Sequence, residues 1–61
     1  MAIETRVAQK EKLYALLVVQ KALDDKGIQE KELERQIGTA IAPMEAEDVA
    51  YVKEQAAKAV I

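Results

Sequence analysis

The segment LYALLVVQKAL, residues 13–23, constrains this chain more than any other stretch. Wound at about 100° per residue, it carries apolar side chains almost all the way round a helix, with only Gln20 and Lys21 interrupting them. Tyr14, Leu17 and Val18 fall on one stripe, and Leu16, Val19 and Leu23 on the opposite side. A helix that is apolar on all sides is normally surrounded, and 61 residues leave little chain to surround it.

A domain of this size buries only about 60% of the surface its unfolded chain exposes. Small scaffolds compensate with disulfides, a structural metal, oligomerisation or very regular helix packing. The absence of Cys and His removes disulfides and any nitrogen- or sulfur-ligated zinc site. Phe and Trp are absent too, so the interior falls to Leu, Ile, Val, Met, Ala and two Tyr. Regular helix packing and association remain.

The composition favours helix throughout, with Ala, Leu, Glu, Lys and Gln abundant and punctuation limited to Gly27, Gly38 and Pro43. The spacing predicts an all-α fold, a small three-helix bundle with helices at about 3–26, 30–41 and 44–60, completed by dimerisation. Gly27 suits the left-handed residue that closes a helix C-terminus. Taking Gln29 as N-cap places Glu32 for a capping box, and Ile28 and Leu33 for a hydrophobic staple. Leu33, Ile37 and Ile41 then form one apolar stripe. Within it, Gly38 marks either early termination or the close approach of another backbone. Pro43 separates the second helix from the third, a kinked joint being the alternative. Glu45, Glu47 and Asp48 fit the electropositive start of the third helix, and Met44 with Val49 fits a second staple. The last stripe is Val49, Val52, Ala56, Ala59 and Val60.

Residue types argue against most chemistries. Ser, Cys and His are missing, which leaves Thr5, Thr39, two tyrosines and solvated lysines as nucleophiles, and every carboxylate falls on a helix face or cap. No enzymatic activity, cofactor or metal is expected. If Glu32 closed a calcium loop, Lys21 and Leu23 would occupy positions that need oxygen ligands, so that pattern fails. The isolated glycines form no phosphate cradle. A helix-turn-helix built on the last two segments would point Glu45, Glu47 and Asp48 at phosphate, which argues against nucleic acid. Arg6, Lys10 and Lys12 are interspersed with Glu4 and Glu11 and read as a solvated side of the first helix. The net charge of −2, an N-terminal stretch without signal-peptide character and the lack of an apolar run of about 20 residues set the expectation of a cytoplasmic protein with no membrane association.

The two short helices offer only narrow stripes, so part of the first helix is expected to stay uncovered and to mark a contact. The candidate interface residues are Tyr14, Leu16, Val18, Val19 and Leu23. The expected partner is a second copy in a homodimer or other homo-oligomer, with a larger protein also able to take the face. A regulator or inhibitor that binds another macromolecule through an acidic face of the third helix, with Glu45, Glu47, Asp48 and Glu54, is the second reading.

Overall fold

A computed structural model describes residues 3–59 as three α-helices, α1 (Ile3–Asp25), α2 (Lys31–Ile41) and α3 (Ala46–Lys58), with no strand among the described residues. Both short helices pack on α1 and touch each other only marginally. The turn closed by the Ile28 N–H on the Leu23 carbonyl leads into α2 at Lys31, and Arg35, Gln36 and Thr39 then share a groove with Lys12 halfway back along α1, so α2 runs antiparallel to α1. The contacts of α1 with α3 advance in step, from Arg6 with Asp48 to Lys21 with Ala57 and Ala59, so α3 lies parallel to α1.

The core sits in the trough between the three helices. Leu13 is fully buried, and Leu33, Ile37, Ala40 and Val52 close around it, with Leu16, Leu17, Leu23, Ile41, Met44 and Val49 packed on that cluster. Leu13 lies between the two stripes that the sequence separates, so the helix faces inward along Leu13, Leu16 and Leu17. Truncating such a leucine to Ala costs about 2–5 kcal/mol, a large share of the stability of a domain this small.

The turn after α1 forms as its sequence predicts. The Ile28 N–H donates to the Leu23 carbonyl at 2.9 Å and the Gly27 N–H to that of Asp24 at 3.0 Å, which is the Schellman arrangement, and Gly27 adopts φ 75°. The helix ends at Asp25, one residue early, so Lys26 stands beyond the last turn. The expected start of α2 is corrected by one position. Glu30, in extended conformation, is the N-cap and makes no side-chain capping bond. Glu32 consequently lands at N2, where its carboxylate accepts from Arg35 at 2.9 Å, and Ile28 is exposed, so the box and staple centred on Gln29 do not form.

The joint at Pro43 is a break rather than a kink. α2 stops at Ile41, and Glu45 is extended at ψ 143° before α3 begins two residues later than expected. With Glu45 as N-cap, Met44 and Val49 occupy the N′ and N4 staple positions, and both pack on the core. α3 ends at Lys58, with half-buried Ala59 as its C-cap, while Val60 lies outside the described residues.

Gly38 neither ends α2 nor admits a neighbouring backbone. It is exposed, the helix continues past it, and a Cβ added there would meet nothing within 4 Å. The two glycines therefore respond oppositely to the same substitution. Gly38→Ala is expected to stabilise by about 0.5–1 kcal/mol, raising the melting temperature by about 2–8 °C. Gly27→Ala, at positive φ, is expected to destabilise by about 1–2 kcal/mol. Thermal melts of the two variants measure both, and a fall for Gly38→Ala would contradict the open site described.

Candidate functional site

Two charged contacts tie α3 to α1 at either end, and both involve residues whose sequence context suggests simple solvation. At the N-terminal end, Arg6 donates from Nε to Asp48 Oδ2 at 3.0 Å and from Nη2 to Asp48 Oδ1 at 2.9 Å, a two-pronged pairing, and reaches Glu47 Oε1 at 3.3 Å. Asp48 is buried, at 7% exposure, and so belongs with the carboxylates of a helix start rather than with those on a solvated face. Its position in the first turn of α3 adds the favourable field of the helix N-terminus. The paired guanidinium holds the Asp48 carboxyl below its ordinary range, against an opposing push from burial, and Lys10 adds a smaller lowering. At the other end, Lys21 Nζ donates to the carbonyls of Ala57 and Ala59, each at 2.9 Å. A cation thus meets the carbonyl end of α3, where the helix dipole favours it.

These ties fix which side of α1 remains open. Among the residues expected at a contact, Leu16 and Leu23 pack against the core instead, Val18 is half-buried, and Tyr14 and Val19 stay exposed at 40% and 48%. Val7, at 43%, joins them on α1. Val19 and Tyr14 are five residues apart and so point about 140° from each other, which makes them parts of two different surfaces.

The Tyr14 surface continues onto α3. A groove of about 370 Å³ between the helices is lined by Lys10, Glu11, Tyr14, Tyr51, Val52 and Gln55. Tyr51 is 56% exposed, and the Lys10 ammonium lies 5.9 Å from its ring centroid. Tyr14 and Tyr51 are the only aromatic residues in the chain, and both line this groove rather than the core. Sequence reasoning finds Tyr14 but not Val7 or Tyr51, because neither belongs to the apolar segment that draws attention to α1.

Among the described residues no group of three or more His, Cys, Asp or Glu could hold a metal ion. The Thr39 hydroxyl donates to the Arg35 carbonyl four residues back at 3.0 Å. The acidic residues of α3 are mostly engaged, Asp48 and Glu47 with Arg6 and Glu54 with Lys58 at 3.1 Å. No helix among the described residues is long and apolar enough to cross a membrane. Comparison with protein families, curated proteins and solved structures finds no match.

The tie between Arg6 and Asp48 has a pH signature. Because the folded carboxyl titrates below its unfolded value, near 4, the pairing contributes fully above that pH and fades as pH falls through the lowered folded value. Arg6→Met should therefore melt below the parent at pH 7, with the gap narrowing as both are taken toward pH 2. A gap that stays constant across that range would show that Arg6 acts through packing of its stem alone.

Proposed function

We propose that this chain is a small non-catalytic assembly protein that self-associates through the open side of α1. The carrying observation is that α2 and α3 cover the same side of α1, leaving Val7, Tyr14 and Val19 in water while Leu13, Leu16, Leu17, Val18 and Leu23 are at least partly buried. A contiguous exposed apolar patch is a common mark of a contact site, and Tyr14 shares its groove with the exposed Tyr51. Missing nucleophile types and the engagement of the Thr39 hydroxyl within its own helix support a role without catalysis. The reading through an acidic face of α3 has less support, since Asp48 is buried and the charges of Glu47 and Glu54 are partly neutralised by Arg6 and Lys58.

Sedimentation equilibrium across a concentration series tests the proposal. The expected result is a species of twice the 6.8 kDa chain mass in the micromolar range. Tyr14→Glu should shift it to the monomer while keeping its helical circular dichroism, whereas Leu16→Glu, which drives a carboxylate toward the core, should unfold the chain. A folded parent that stays monomeric up to about 1 mM, an affinity weaker than about −4 kcal/mol, would overturn self-association.

A further inference from the structure

Four residues on the open side of α1 are symmetric in spacing and opposite in charge when read in the two directions. Val7, Lys10, Glu11 and Tyr14 fall at spacings of three, one and three on one helix face, as apolar, cation, anion, apolar. Val7 and Tyr14 are nearly equally exposed, at 43% and 40%, and stand about 10 Å apart along the axis. Neither Lys10 nor Glu11 has an ion-pair partner among the described residues, whereas Arg6 on the same helix is paired with Glu47 and Asp48 of α3. A two-fold axis crossing α1 between residues 10 and 11 would bring each of the four opposite its complement.

We infer that two copies of this chain pair antiparallel through α1 about that axis, Val7 of each copy packing on Tyr14 of the other and Lys10 facing Glu11. The inference rests on the self-association proposed above and adds its face and register. In a two-fold interface one patch must complement itself, and a single cation next to a single anion between two apolar residues meets that requirement. Tyr51 flanks the strip from α3 and widens it, its ring presented beside Lys10 at the rim of the groove. Tyrosine is among the residues that most often anchor such contacts.

The chain exposes more surface than is usual for its mass, by an amount that matches a contact at the lower bound of specific interfaces. A folded monomer of 6.8 kDa exposes about 4,000 Å² on average, whereas this chain exposes 4476 Å². Burying the surplus of about 500 Å² on each copy removes about 1,000 Å² in total, the lower bound for a specific interface. Val19 points away from this strip and has no charged pair of matching spacing beside it, so it takes no part.

Charge reversal tests the register separately from association. K10E and E11K should each weaken the dimer by about five- to tenfold at low ionic strength, because two like charges then meet twice across the axis. An equimolar mixture of the two variants should recover parental affinity as a heterodimer, since every carboxylate then faces an ammonium. Val19→Glu should leave the dimer intact. Because the chain has no cysteine, Val7→Cys mixed with Tyr14→Cys should form a mixed disulfide in preference to either homodimer. That cross-link, with E11K alone, decides the matter should K10E disturb folding through the loss of Lys10 from Tyr51. A parental dimer indifferent to E11K, dissociated by Val19→Glu, or without the mixed disulfide would overturn this register while leaving self-association standing. A parental monomer would remove both.

Discussion

Every tertiary contact of consequence in this protein runs through α1. The two short helices barely touch each other, so each is held only by the side it shares with the long one. An 11-residue and a 13-residue helix are marginal alone in water, where nucleation is costly and few backbone bonds repay it. Their stability is borrowed from the trough around Leu13, and the loss of that one side chain's packing would loosen both. The same dependence explains why polar ties are placed where they are. The aliphatic trough holds the middle of α3, while Arg6 and Lys21 hold its ends, where apolar contact thins out and unsatisfied backbone groups begin.

Helix content was legible because local signals agreed with one another: Gly27 followed by Ile28 closes α1, Pro43 opens the gap before α3, and the period of Leu33, Ile37 and Ile41 marks the buried side of α2. Such features depend on neighbours a few residues away, which sequence displays directly. The start of α2 was misplaced because Gln29 and Glu30 differ little as caps, and no side-chain bond settles the matter.

The inward face of α1 was not legible in the same way. When nearly every direction on a helix is apolar, periodicity no longer selects one, and the choice passes to the helices that cover it. Leu16 and Leu23 went inward because α2 and α3 each pack on that side of α1, while Tyr14 was left outside. Arg6 with Asp48 was hidden for a different reason. The partners are 42 residues apart, and each has an adequate local explanation, a mixed charged stretch for one and a helix N-terminus for the other. Tyr51 sits among polar neighbours on α3 and shares a surface with Tyr14 only because the two helices run parallel.

That parallel arrangement also governs how the molecule would carry load. In an up-down-up order, residue 3 emerges at one pole and residue 59 at the other, along a body 37 Å in its longest dimension. Tension applied between the two ends would slide α1 and α3 past each other lengthwise, so the contacts of Arg6 and Lys21 would be strained together rather than peeled one after another. A bundle whose terminal helices ran antiparallel would open from one end like a zipper. This one resists as a lap joint does, with its two polar fastenings at the edges of the overlap and the aliphatic seam between them.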